Sequence, residues 1–179
     1  MKRILIFPLI LFLPIVVEGK ESYVFFGAIF SPMLAISHTY NQTHDLDLGG
    51  GIRGGYVTKW FQVYGDFLFS GGFGGKIDGK SYTTKGVWLD FNACLKPLGD
   101  IDKLALYLGP GFGLAYFSAD IYDFSKTSWS VNGIVGASQK IGSGRAGMNI
   151  ELKYTGIKFP PQTENLLFTI FKFYWDLTF

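Results

Sequence analysis

The sequence predicts an all-β fold: a closed, antiparallel, eight-stranded up-and-down β-barrel that spans a membrane. Three observations carry this. Large apolar residues alternate with small or polar ones in repeated segments. The connections between those segments alternate between long and short. The composition is rich in Gly (24 residues) and in aromatics (18%), which suits strands, because Gly is poor in helix interiors and aromatics favour pleated surfaces.

Residues 1–19 read as a secretory signal peptide. Lys2 and Arg3 form a positive start, Ile4 to Val17 is apolar apart from Pro8 and Pro14, and Val17-Glu18-Gly19 precedes the polar Lys20-Glu21-Ser22. The apolar run is too short for a comfortable helical membrane span. Residues 20–179 are then the barrel domain. Without Lys2, Arg3 and Glu18 the chain keeps 14 basic and 13 acidic residues, a balance that argues against nucleic acid as a partner. Cys94 is alone, which excludes an internal disulfide and a Cys-rich metal site and suits a small residue packed on a strand.

Period-two alternation gives the strands in order. The first runs from Tyr23 to about Ile36 and the second from Asp47 to Val57. The third, Phe61 to Ser70, sets Phe61, Val63, Gly65, Phe67 and Phe69 against Gln62, Tyr64, Asp66, Leu68 and Ser70. The fourth, Val87 to Leu95, sets Val87, Leu89, Phe91, Ala93 and Leu95 against Trp88, Asp90, Asn92 and Cys94. The fifth starts near Lys103 and sets Leu104, Leu106, Leu108, Phe112, Leu114 and Tyr116 against Ala105, Tyr107, Gly109, Gly111, Gly113 and Ala115. Pro110 predicts a bulge there, since proline cannot donate to the ladder. The sixth runs from Ser128 to Gln139. The seventh, from Ala146, sets Met148, Ile150, Leu152 and Tyr154 against Asn149, Glu151, Lys153 and Thr155. The eighth sets Leu167, Thr169, Phe171, Phe173, Trp175, Leu177 and Phe179 against Phe168, Ile170, Lys172, Tyr174, Asp176 and Thr178.

Long connections follow the odd strands, over residues 37–46, 71–84, 117–127 and 157–165. Shorter ones follow the even strands: Thr58-Lys59-Trp60, Lys96 to Asp102, and Lys140 to Arg145. Long loops at one end and tight turns at the other are the pattern of a membrane barrel. The faces agree. The apolar faces carry large rings and aliphatics with almost no charge, so they point to lipid, and the small and polar faces fill a narrow interior. Closure follows, because lipid cannot satisfy an open sheet edge.

The expected interior charges are Arg53, Asp66, Asp90, Glu151, Lys153, Lys172 and Asp176. Three positive and four negative charges in so tight a space predict a hydrogen-bonded, salt-bridged plug, because an unpaired buried charge costs several kcal/mol. Trp60, Trp88, Trp129, Trp175, Tyr56, Tyr116 and Tyr154 lie near strand ends and are expected in interfacial aromatic girdles.

The C-terminal pattern Phe171, Phe173, Trp175, Leu177 and Phe179 resembles the insertion signal of Gram-negative outer-membrane barrels, which the barrel assembly machinery reads. "LYLGPGFGLAYF", Leu106 to Phe117, resembles the aromatic-glycine strand of small barrels of the OmpA, OmpX and opacity-protein type. The resemblance covers residues 20–179 as an eight-strand pattern. It implies the outer membrane, with both termini in the periplasm and outer-membrane lipid and lipopolysaccharide as surroundings. An appended peptidoglycan-binding domain is absent from the pattern. For function it implies a non-enzymatic structural or surface-binding role, with an extracellular ligand held by the loops. A narrow channel for small solutes is the alternative, and a lipid A-modifying enzyme comes third.

Catalytic, cofactor and metal sites are not expected. Gly74 to Ser81 matches the G-x-x-x-x-G-K-S phosphate loop by letter, but the residues after it, Tyr82 to Trp88, are β-patterned rather than helical. The two histidines, His38 and His44, lie near Ser37, Asp45 and Asp47 without a compelling catalytic spacing, and the His-x-Ser-Asn pattern of outer-membrane lipid A deacylases is missing. Tyr40, Phe73, Tyr82, Tyr122, Phe124 and Phe159 are loop aromatics that could anchor a partner or pack on the rim.

Overall fold

A computed structural model describes residues 22–36, 46–77, 80–99, 103–120, 123–158 and 165–179. The expected signal peptide, His38, His44, Tyr40, Tyr122 and Phe159 lie outside the described residues. Among the described residues nine strands form: β1 (Ser22–Ile36), β2 (Leu46–Thr58), β3 (Phe61–Ser70), β4 (Phe73–Ile77), β5 (Lys80–Gly99), β6 (Leu104–Ala119), β7 (Phe124–Ile141), β8 (Gly144–Lys158) and β9 (Asn165–Thr178). All pairings are antiparallel.

The nine strands make eight staves. Both β3 and β4 pair with β5, so they are two halves of one stave interrupted at Gly71-Gly72. The break is tied down on β2. Gly71 N donates to Leu48 O at 3.0 Å, and Gly72 N donates to the Asp47 carboxylate at 3.0 Å. Gly72 has φ +150°, a backbone state that L side chains rarely adopt. Two pairings close the sheet. β1 pairs with β9 from Phe25↔Thr178 to Ile36↔Leu167, and β3 pairs with β5 from Phe61↔Leu95 to Phe69↔Val87. Phe179 N adds a bond to Val24 O at 3.0 Å. The result is a closed, antiparallel, eight-stranded barrel, as the alternation predicts.

Two features differ from the sequence expectation. Within the expected loop 71–84, β4 and the start of β5 pair as antiparallel strands from Phe73↔Thr84 to Ile77↔Lys80. The letter-perfect phosphate loop therefore runs from strand to strand. Pro110 is not bulged either. Across β5 and β6 the register is the same at Asn92↔Gly111 and at Leu95↔Leu108, with no pairing recorded at Pro110 itself. The missing N–H interrupts the ladder without inserting a residue. The register shift falls between Leu95 and Leu98, at Lys96-Pro97.

The outer wall is an apolar belt. Phe26, Phe30, Ile52, Phe67, Leu89, Phe91, Leu106, Phe112, Leu114, Val131, Val135, Ile150, Leu152 and Phe173 are all exposed. A belt this complete around a closed sheet needs an apolar solvent. Strands of 13 to 20 residues in seven of the staves exceed the ~9–11 that cross a bilayer. The surplus projects mostly at the loop end, where Thr83, Lys85, Ser125, Lys126 and Thr127 replace the belt with polar exposed side chains.

Because Ile150 sits on the apolar face midway along β8, Ile150→Arg is expected to lower unfolding stability in lipid vesicles by about 2–4 kcal/mol. The exposed turn residue Lys59→Ala is expected to change it by less than about 0.5 kcal/mol. Equal effects in urea titrations would contradict the lipid-facing assignment.

Candidate functional site: the barrel interior

The inward faces are the alternate residues of each stave, so strand parity decides what the lumen contains. All seven expected charges point inward and are at most 2% exposed. They form one chain of alternating sign. Asp176 lies 3.6 Å from Arg53 Nε, and Arg53 Nε lies 3.9 Å from Asp66. Asp66 receives Lys172 Nζ at 2.6 Å, and Lys172 also reaches Glu151 at 2.5 Å. Glu151 lies 3.7 Å from Lys153 Nζ, and Lys153 ends the chain by donating to Asp90. Each of the three cations bridges two carboxylates.

Neutral groups take up much of the remaining bonding capacity. Asn92 donates to Asp66 at 3.4 Å and accepts from Asn132 at 3.1 Å; Asn132 also donates to Glu151 at 3.3 Å, and Ser130 donates to Asp90 at 3.3 Å. Gly111 makes this layer possible, since a Cβ there would collide with the amides of Asn92 and Asn132. Arg53 is held by rings. Its guanidinium carbon lies 3.9 Å from the Tyr174 ring centroid and 4.2 Å from that of Tyr64, contacts in which the ring face attracts the cation.

Two layers flank the charges. Towards the turn end lie Tyr64, Tyr107, Tyr174 and Cys94, with the Tyr107 and Tyr174 hydroxyls 2.9 Å apart. Towards the loop end lies an apolar plug of Met33, Leu68, Trp88, Phe117, Ile157, Phe168 and Ile170, each at most 1% exposed. Trp88 meets Phe117 and Phe168 edge-on at 5.2 and 5.7 Å, and Phe117 stacks on Phe168 at 5.5 Å. Such pairs add to the burial of the rings themselves.

This plug corrects two expectations. The interior is not filled by small and polar residues throughout, and Trp88 is not a girdle ring. Its even parity on β5, shared with Asp90 and Asn92, turns it inward. Trp60, Trp129, Trp175, Tyr116 and Tyr154 are exposed, and Tyr56 is half-buried. Phe124, expected as a loop aromatic, begins β7 and packs half-buried against the core. Phe171, Phe173, Trp175, Leu177 and Phe179 all face outward.

Two buried cations escaped the sequence reading. Lys96 and Arg145 are 5% and 3% exposed, yet both fell in predicted turns. Strand β5 runs to Gly99, and the β7–β8 turn needs only Gly142-Ser143, with Gly142 at φ +60°. Extending the parity of Asp90 and of Glu151 towards the turn end finds both.

Removing one cation leaves buried carboxylates uncompensated, so Lys153→Met is expected to cost about 3–5 kcal/mol of unfolding stability. Pairing it with Asp90→Leu should recover most of that loss. Additive losses in the double variant would show that the two side chains do not form an ion pair.

No protein-family profile matches the chain, and no curated protein sequence does. Solved structures do. Neisserial surface protein A superposes with a TM-score of 0.66 at 14% identity, over 87% of this chain and 97% of that one. The attachment invasion locus protein Ail of Yersinia pestis gives a TM-score of 0.52 at 15% identity, over 89% and 98%. At these identities the likeness is one of fold. The chain has the fold of the small eight-stranded outer-membrane β-barrels.

Proposed function

We propose that the protein is an integral outer-membrane barrel without catalytic activity that acts through its loop end, binding external partners or supporting the envelope. The observation that carries this is the filled lumen. A solute entering from the loop end meets the Trp88-Phe117-Phe168 plug and then the seven-residue charge chain. Eight staves leave an interior just wide enough for side chains to fill, which supports a packed core over a solute path. The carboxylates are engaged in ion pairs and enclosed from lipid and water alike, which speaks against general acid–base work on a substrate.

The loop end offers what the lumen does not. Staves β5, β6 and β7 continue past the apolar belt, and the β4–β5 hairpin extends beyond them, since β5 pairs with β6 only from Thr84 onward. Surroundings and assembly follow from the outer face. Hydrocarbon covers the belt, and lipopolysaccharide meets the polar outer band near Lys85. The strip Phe171, Phe173, Trp175, Leu177 and Phe179 is presented to the barrel assembly machinery, and export uses a cleaved signal peptide.

Reconstituted in planar bilayers, the folded barrel is expected to give no unitary current steps. Replacing Phe73 to Thr84 with a two-residue Asn-Gly turn should leave folding intact, seen as heat-modifiable mobility. It should also reduce binding of expressing cells to a glycan and protein array, or their resistance to detergent. Reproducible conductance would move the function to the lumen, and a hairpin variant with unchanged binding and unchanged envelope resistance would remove the loop-end role.

A further inference from the structure

Two prolines interrupt the ladders of the wall without shifting their registers. The pairs on either side place Pro32 of β1 opposite Phe171 of β9, and Pro110 of β6 opposite Ala93 of β5. In both cases the pairing lapses at the proline and at the residue before it, while the proline's other edge stays paired, as Pro32↔Leu48 and Pro110↔Gly133. A proline nitrogen carries no hydrogen, so the carbonyl opposite loses its ladder bond. At Pro32 the chain supplies a substitute: Ser31 Oγ donates to Phe171 O at 3.1 Å. At Pro110 the preceding residue is Gly109, which has no side chain to donate, and a Cβ there would fall 2.0 Å from Ala93 O. The inward amides close by are engaged elsewhere, Asn92 with Asp66, and Asn132 with Asn92 and Glu151.

The Ala93 carbonyl lies at a notch in the outer wall. Val63, Ala93, Pro110 and Gly133 form one row across β3, β5, β6 and β7. Their side chains are short, and a Cβ on Gly133 would meet nothing within 4 Å. Phe91 and Phe112, with ring centroids 5.9 Å apart, wall the notch on the loop side. The cavity measures about 450 Å³, within the range of small-ligand sites. It is continuous with the apolar belt, so its occupant is a hydrocarbon body. Pro110 stands midway between the outward side chains of Leu104 and Tyr116 on β6, which puts the carbonyl near the middle of the belt. An acceptor without a donor is most costly there, because hydrocarbon has none to offer.

We propose that this notch binds one hydroxy fatty acid. Its chain lies against Phe91 and Phe112, and its hydroxyl donates to Ala93 O as Ser31 Oγ donates to Phe171 O. The depth sets where that hydroxyl is carried. Ala93 O lies roughly 15 Å below the level of Tyr116 on a tilted strand, so the donor sits well along the chain and not beside its carboxylate. A plain acyl chain fills the same notch but leaves the carbonyl bare. The site is on the wall of the barrel and stands or falls independently of the loop-end role.

The test incubates the protein, purified from membranes in detergent, with equal amounts of ricinoleate and oleate, which differ by one mid-chain hydroxyl. The complexes are weighed by native mass spectrometry. Wild type is expected to retain ricinoleate over oleate by roughly 3–10-fold, the worth of one neutral hydrogen bond. Pro110→Ala restores the missing N–H, so it should make the two fatty acids equal and raise Tm without ligand. Ala93→Leu fills the notch and should lose both. Ser31→Ala removes the substitute donor at the other proline, and should lower Tm while leaving the preference for ricinoleate intact. Equal retention by wild type, retention of neither, or a preference that survives Pro110→Ala overturns the proposal. Equal retention is the result expected if water in the lumen answers the carbonyl, and retention of neither is expected if a neighbouring protein covers the notch.

Discussion

Hydrocarbon offers no partner to a backbone N–H or C=O, and the rest of this structure depends on that constraint. It requires the sheet to close, and the β1–β9 pairing does so over nearly the whole length of β1. Closure at eight staves fixes the circumference, and the circumference fixes a lumen about as wide as two facing side chains. From there the choices narrow. The outer face must be apolar all round. The inner face must fill itself, with each polar group answered by another.

The interior meets that demand in layers. The alternating chain from Asp176 to Asp90 places each of its three cations between two carboxylates, so no charge within the chain faces an uncompensated low-dielectric surrounding. Such a chain contributes little net stability over an apolar filling, but breaking it at any link is costly. It thereby favours the strand register that aligns Arg53 with Asp66 and Asp66 with Asp90. A slip of one residue would turn these groups into lipid. The aromatic plug above works by burial and ring geometry instead. Where ladder and side chains crowd, the residue is Gly: a Cβ on Gly27 would meet the Asp176 carboxylate and the Trp175 carbonyl.

The architecture was legible because a membrane barrel writes its faces directly into parity. The sequence expectation placed Asp66, Asp90, Glu151, Lys153, Lys172 and Asp176 on inward faces through the alternation of their own strands, and the structure shows how they connect. Pairing across staves was not legible, since it depends on register, which alternation alone leaves open. The misreadings share a cause. Gly-rich and turn-like residues at 71–84, and the charged ends near Lys96 and Arg145, looked like connections, so strand parity was not carried through them. That hid the β4–β5 hairpin and two buried cations. Trp88 shows that parity outranks ring chemistry: its position between Val87 and Leu89 turns it inward, although a tryptophan near a strand end suits a girdle.

The connected charge chain at the heart of the barrel is most directly measured by magic-angle-spinning NMR of the protein in bilayers, with Lys 15Nζ and Asp and Glu side-chain 13C labels. Lys172 Nζ is expected to show dipolar contacts to the carboxyl carbons of both Asp66 and Glu151, with Nζ protons protected from exchange with deuterated water. A Lys172 ammonium that exchanges freely and contacts neither carboxyl would contradict a sealed, ion-paired interior.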